Sequence, residues 1–158
     1  MFRLGLVVLV VMMMTSAVAA ADHLADRAAI QAALDKHGAA WTRGDAQAAV
    51  SVLTDDADWV SGSGMTFEGK AAIEAMHKQV LAGPAKGSKH AHPGIPKIRF
   101  VTSNVAIVDG DSMMALRDSA GKQLPAEYSR YTAVFVKQPD GKWYVTAFRS
   151  LPQVKVER

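Results

Sequence analysis

Cysteine is absent from all 158 residues. That excludes disulfides, thiolate metal sites, Cys nucleophiles and lipid attachment through an N-terminal Cys. There is no Ser-centred nucleophile elbow, no phosphate-binding loop and no dinucleotide fingerprint. Their absence argues against a self-contained hydrolase, a kinase or classical NAD-dependent chemistry. Repeats and low-complexity tracts are also missing. Charge of one sign is scarce: 18 Lys and Arg stand against 15 Asp and Glu. The basic residues are scattered, so neither nucleic acid nor an anionic membrane is expected as a partner.

The long apolar run, Leu4 to Met14, stands at the start of the chain, behind Arg3. It is too short for a membrane span, and Ala17, Val18, Ala19 and Ala20 offer small residues for cleavage. Residues 1–21 therefore read as a secretory signal peptide, with cleavage expected between Ala19 and Asp22. No Arg-Arg pair is present, which favours the general secretory route. The expected location is periplasmic or secreted. Residues 22–158 are enough for one domain with one core. Without Arg3, 17 basic residues face 15 acidic ones, so the excess positive charge is small.

The pattern in that domain begins with helices. Asp26 is placed to cap a first helix. Ile30, Leu34, His37 and Trp41 recur at spacings of four, three and four, on one face. Gly44 stops that helix and Asp45 caps a second, with Ala48, Ala49, Val52 and Leu53 as its apolar side. Asp58 to Ser63 reads as a strand, Trp59 and Ser61 sharing a face, and Gly62 and Gly64 imply a bend. Lys70 to Leu81 reads as a third helix with Ile73, Met76, His77, Val80 and Leu81 in its stripe. Ala85 to Gly94 reads as a polar loop. Four strands follow over Ile95 to Thr102, Val105 to Leu116, Glu127 to Lys137 and Lys142 to Ser150. Asp118, Ser119, Ala120 and Gly121 make one turn, and Pro139, Asp140 and Gly141 another. Helices followed by an antiparallel meander give an α+β class, with the three helices covering one sheet face.

Trp41-Thr42-Arg43-Gly44-Asp45, Asp55-Asp56-Ala57-Asp58-Trp59 and Phe67-Glu68-Gly69-Lys70-Ala71-Ala72-Ile73 together resemble the opening of the SnoaL-like group of the nuclear transport factor 2-like superfamily. The final hairpin, Val134-Phe135-Val136 and Trp143-Tyr144-Val145, fits as well. Within the group, the chain looks most like the SgcJ/EcaC set, largely of unknown function. The resemblance covers most of residues 22–158. It implies a cystatin-like cone, a curved antiparallel sheet wrapped around a pocket, often in a homodimer. Superfamily members include isomerases, cyclases, dehydratases and non-catalytic assembly modules, so fold does not decide function. Ketosteroid isomerases carry a Tyr where His37 stands and a catalytic Asp where Ser61 stands. Ser61 has no carboxylate to act as a base, which argues against that mechanism. No residue supports the name oxidoreductase attached to the SgcJ/EcaC set.

Each candidate for chemistry has a plainer reading beside it. His37 sits among apolar residues, where it is a candidate proton carrier or an ordinary core histidine. His77 shares the third helix's stripe, which can equally pack on the sheet away from a cavity. His90 and His92 form a His-x-His pair able to share a Zn or Cu ion, but no third ligand lies nearby in sequence. Asp55, Asp56 and Asp58 do not match a calcium loop and suit a helix-to-strand turn. Asp109 and Asp111 alternate on a strand face read as solvated. Arg99, Arg130 and Arg149 lie in strands, where they either reach into the cone to bind an anion or solubilise its outside. Tyr128 and Arg130 share one face, Tyr131 and Phe135 the other, with the inward face undecided.

The sequence thus predicts an exported cone that binds a small apolar or amphipathic molecule. His37 is the candidate catalytic residue. Trp41, Trp59, Ser61, His77 and Arg130 are candidate wall residues, and no metal or cofactor is assigned. The enzymatic version is acid–base chemistry on a carbonyl or polyketide-like substrate. The alternative is a non-catalytic dimeric docking module.

Overall fold

The computed structural model describes residues 23–152, and the expected signal peptide lies outside them. Helix α1 occupies residues 23–42, its buried stripe formed by Ile30, Leu34, His37 and Trp41 as their spacing requires. It ends where Gly44 adopts φ +74° and the Gly44 N–H reaches back to the Trp41 carbonyl at 2.8 Å. Asp45 then caps the short α2 (Ala46–Val50), its carboxylate accepting from the Ala48 N–H at 2.9 Å.

Two expectations fail at these ends. Asp26 is not a cap, because the helix is already formed at residue 23. Val52 and Leu53 are not the side of α2, because the chain turns into strand β1 (Leu53–Val60), five residues earlier than predicted. Leu53 pairs with Val145, and the Val52 carbonyl accepts from the Val145 N–H at 2.9 Å. This tertiary pairing outweighs the weak local preference of an Asp-rich stretch for a turn.

The sheet continues with β2 (Thr66–Glu68), β3 (Lys89–Ala91), β4 (Lys97–Thr102), β5 (Val105–Ala115), β6 (Glu127–Lys137) and β7 (Trp143–Pro152). Helix α3 (Lys70–Ala82) intervenes between β2 and β3. The strand order is β2-β1-β7-β6-β5-β3, and β4 also pairs with β5. The sheet is mixed, because β1 and β7 run parallel, whereas a wholly antiparallel sheet was expected. Register shifts in β1, β4 and the β6–β7 pair bend the strands, so the sheet curls around the helices without closing. No described helix is long and apolar enough to cross a membrane.

The core fills the concave side. Ile30 and Leu34 from α1, Ile73 from α3, and Val108, Phe135 and Phe148 from the sheet form its centre. Tyr131 and Phe135 point inward, which settles the orientation of β6 and sends Arg130 outward. Gly110 is opposite Tyr131 in the ladder, and a Cβ there would stand 2.5 Å from the Tyr131 hydroxyl. The ring lies across the bare backbone, so glycine is required at that position.

The interior of β3 is the important departure. A polar loop was expected over Ala85 to Gly94, but Lys89–Ala91 pairs with Ala115–Met113. The packing of α1 against this strand explains it. Gly38 lets the backbone of His90 approach, and a Cβ on Gly38 would stand 3.1 Å from the His90 carbonyl oxygen. The Thr42 hydroxyl donates to the same carbonyl at 3.2 Å and accepts from the His90 N–H at 3.0 Å. Neither contact is visible in the local composition of the segment.

Candidate functional site

A cavity of about 820 Å³ opens between the curled sheet and the helices. This lies within the usual range for small-molecule sites. Its apolar wall includes Trp59, Phe67, Met76, Met114 and Phe148. Trp59 stacks on Phe148 at 3.9 Å between centroids and 12° between planes, and Phe148 stacks on Tyr131. Stacked rings give a rigid, flat surface at small entropic cost. Hydroxyls of Ser61, Ser112, Ser129 and Ser150 are interspersed along the lining.

The polar end is built from imidazoles. His37, on α1, and His90, on β3, line the cavity. His77, on α3, is wholly buried behind His37, and His92 is 8% exposed just beyond β3. The His77 Nδ1–H donates to the Ile73 carbonyl, one turn earlier in the helix, at 2.9 Å. A carbonyl can only accept, so neutral His77 carries its proton on Nδ1 and a lone pair on Nε2. His37 Nε2 lies 3.3 Å from that lone pair and must donate to it. The lone pair of His37 is therefore on Nδ1, which faces His92 Nε2 at 3.4 Å. His90 Nε2 is 2.8 Å from the Ser112 hydroxyl. The Nδ1 atoms of His90 and His92 are buried with no partner among the described residues.

Burial disfavours the charged form of all four rings. It drives His37 well below the ordinary histidine value, with His90, His92 and His77 adding repulsion. Burial lowers His77 to about 4, against the opposing pull of the Ile73 carbonyl. Burial and the neighbouring His92 and His77 lower His90 to about 3. Burial lowers His92 to about 4 despite Asp35. At neutral pH the cluster is a set of uncharged bases with lone pairs available. One ligand nitrogen from each of His37, His90 and His92 lies within 4.8 Å of the other two.

The residues proposed from sequence separate clearly. His37, Trp41, Trp59 and Ser61 all line the cavity. Ser61 stands just past β1, in a turn where its hydroxyl meets that of Ser63 at 2.9 Å and accepts from the Met65 N–H. Trp41 is fixed by donating from Nε1 to the buried Ser88 hydroxyl at 3.0 Å. His77 faces inward but supports His37 from behind instead of forming the wall. Arg130 is corrected outright: it lies on the outer sheet face, exposed, 3.9 Å from Asp111 across the β5–β6 ladder. Arg149 forms a two-pronged pair with Asp58, at 2.9 and 2.6 Å, and Arg99 is exposed.

Sequence reasoning missed Phe148, Met114 and Ser112 as wall residues, because an alternating strand does not reveal which face looks inward. It also missed that His90 and His92 join His37. The His-x-His spacing was the available signal, and the missing third member was 53 residues away.

Comparison with known proteins places this geometry in context. The chain resembles a nuclear transport factor 2-like protein with a cystatin-like fold from Novosphingobium aromaticivorans, at 22% identity, 90% and 91% coverage of the two chains and a TM-score of 0.74. A putative scytalone dehydratase from the same species shares 16% identity over 87% of this chain and 99% of its own, with a TM-score of 0.73. A type 2 hexachlorocyclohexane dehydrochlorinase shares 20% identity over 87% and 95%, with a TM-score of 0.71. No functionally curated protein matches the sequence significantly. The SnoaL-like domain matches residues 22–149, and the chain belongs to that family, with the cone fold of the nuclear transport factor 2-like superfamily.

Proposed function

We propose that this protein takes up a small, partly apolar molecule in the cavity and performs acid–base chemistry on it. A carbonyl or polyketide-like substrate suits the lining, its ring system against Trp59 and Phe148 and its oxygen toward the imidazoles. The observation that carries the reading is the buried His37 in the lining of a largely apolar cavity. Its proton is held on Nε2 by His77, so Nδ1 is the atom that accepts a proton. The dehydrochlorinase and the putative dehydratase among the similar structures support an enzymatic version. Export to the periplasm or beyond, a homodimeric state and membership of the SgcJ/EcaC set belong to the same proposal.

Native mass spectrometry of gently purified protein tests the binding. An excess mass lost on denaturation is expected, and it should be reduced by Ser129→Trp, which fills the cavity. A bare chain in both proteins, together with no uptake of an added apolar fluorophore, refutes the cavity as a binding site. The proton role is tested separately: once a substrate is in hand, His37→Ala should keep the fold and lose turnover, and unchanged turnover would sink it. A docking module is the second reading, favoured by Leu151 and Val101, which are half exposed on the sheet. It predicts partner binding that is sensitive to those two residues and indifferent to His37.

A further inference from the structure

We infer that His37, His90 and His92 form a binding site for one divalent transition-metal ion of the Zn(II) type, with an open position toward the cavity. The inference goes beyond the acid–base reading and rests on the arrangement of the rings alone.

The donors suit the ion. Zn(II) takes imidazole nitrogens at about 2.0–2.1 Å in tetrahedral geometry, which separates adjacent ligand atoms by about 3.3 Å. His37 Nδ1 and His92 Nε2 are already 3.4 Å apart. That is long for a hydrogen bond between neutral rings and close to one edge of such a tetrahedron. The third imidazole nitrogen lies within 4.8 Å, so closing the tetrahedron needs an approach of up to about 1.5 Å.

The second layer is present too. Metal-binding histidines typically have their other ring nitrogen anchored by a partner. His37 Nε2–H is held by His77, which is held in turn by the Ile73 carbonyl. His90 Nε2 is 2.8 Å from the Ser112 hydroxyl, and in the tautomer that donates to it the buried, partnerless Nδ1 carries the free lone pair. A structural histidine cluster has no need to leave buried nitrogens unpaired, because each one costs desolvation energy without return. A cation at this point uses the His90 Nδ1 lone pair, which otherwise has no partner.

Three neutral ligands leave the ion its full charge and one open position. His37 and His90 line the cavity, so that position faces the space where a small molecule would lie. The ligand chemistry it would take is an oxygen donor, a carbonyl, an enolate or water. With the ion bound, His37 Nδ1 is a ligand and cannot also carry a proton. The two readings of His37 therefore make different predictions.

The test uses untagged protein stripped with EDTA and titrated with Zn(II) by calorimetry and with Co(II) by visible absorption. One ion per chain is expected, with the intense bands of four-coordinate Co(II). Zn(II) should also raise the unfolding temperature. His37→Ala, His90→Ala and His92→Ala should each weaken binding by at least about 100-fold, and His77→Phe by about 10-fold, as loss of an outer partner does. Arg130→Ala, on the outer sheet face, should leave the metal affinity unchanged. Failure of the unsubstituted protein to bind either ion overturns the inference whatever the variants do. So does unchanged affinity in a folded His90→Ala, His92→Ala double variant. The acid–base reading is judged apart from this, by turnover of the EDTA-treated protein.

Discussion

Two of the places where the described residues bury polar side chains are built on opposite plans. At one, Asp26 of α1 accepts from Lys137 Nζ and from Trp143 Nε1, both at 2.8 Å. Burial works against the Asp26 charge, but the Lys137 and Trp143 hydrogen bonds outweigh it and hold the carboxyl below its usual range. The charge is paired and the indole is satisfied. At the other, four histidines face one another with no carboxylate inside the cluster and with two ring nitrogens unpaired. The first arrangement joins α1 to the last hairpin, both donors meeting at Asp26 Oδ1. The second holds unspent bonding capacity at a cavity wall. His23 Nδ1 and Thr54 Oγ1 are also buried without a partner, but neither residue lines the cavity, so it is the gathering of such atoms at a cavity wall that marks the candidate site.

Removing Asp26 should give the largest effect. Asp26→Ala strands a buried indole N–H and leaves Lys137 without its partner, so a loss of about 3 kcal/mol in urea unfolding is expected. Ligand uptake by the surviving folded fraction should be unchanged. A loss below about 1 kcal/mol would show that the saturated cluster is not the anchor described here.

Acid separates the two regions next. The histidines are neutral in the folded chain and take up protons near pH 6.5 when unfolded. Their depressed values mean the stability they contribute is complete above pH 6.5. It is lost progressively toward pH 4, the value to which His77 and His92 are lowered. Within that window each such ring should contribute a slope of up to about 1.4 kcal/mol per pH unit. His92→Phe should flatten the slope. Asp26→Asn should leave it alone above about pH 5, because a carboxyl lowered from 3.8 when folded contributes a slope only below that. A flat profile from pH 7 to 4 in the unsubstituted protein would contradict the neutral cluster.

Gly38→Ala probes how the unsaturated site is assembled. The added Cβ meets the His90 carbonyl oxygen at 3.1 Å, so β3 must withdraw from α1 and take His90 with it. Alanine favours the helix by about 1 kcal/mol, and the forced contact costs about 1–3 kcal/mol, so a net loss of about 1 kcal/mol is expected. The nitrogen resonances of His90 and His37 should both shift. If only stability changes, the contact does not position the ring.

These comparisons also show why the sequence was legible for the fold and only in part for the site. The α1 stripe, the α3 boundaries and the last two turns follow from local periodicity and glycine placement, which are written in consecutive residues. His37, Trp41 and Trp59 were legible because their faces are set by those same periods. The gathering of His90 and His92 onto His37 depends on the pairing of β3 with β5 and on the bare Gly38, interactions across 22 and more residues. The parallel pairing of β1 with β7 was hidden for the same reason: it joins segments about 90 residues apart. The Asp26 contacts span more than 110 residues, and an aspartate near a helix start is locally indistinguishable from a cap.

The smallest expected effect concerns Arg130, which the sequence offered as a wall residue. Its nearest acid, Asp111, is 3.9 Å away, and both side chains are more than half exposed. Water and salt screen such a pair, and holding two long side chains in place offsets most of what attraction remains. Arg130→Ala should therefore change stability by less than about 0.5 kcal/mol and leave cavity uptake untouched. A clear loss of uptake would mean that the outer face of β6 communicates with the cavity, and exposure on this sheet would then no longer separate wall from surface. No change would leave the imidazole end as the cavity's recognition element and reduce Arg130 to a solubilising role.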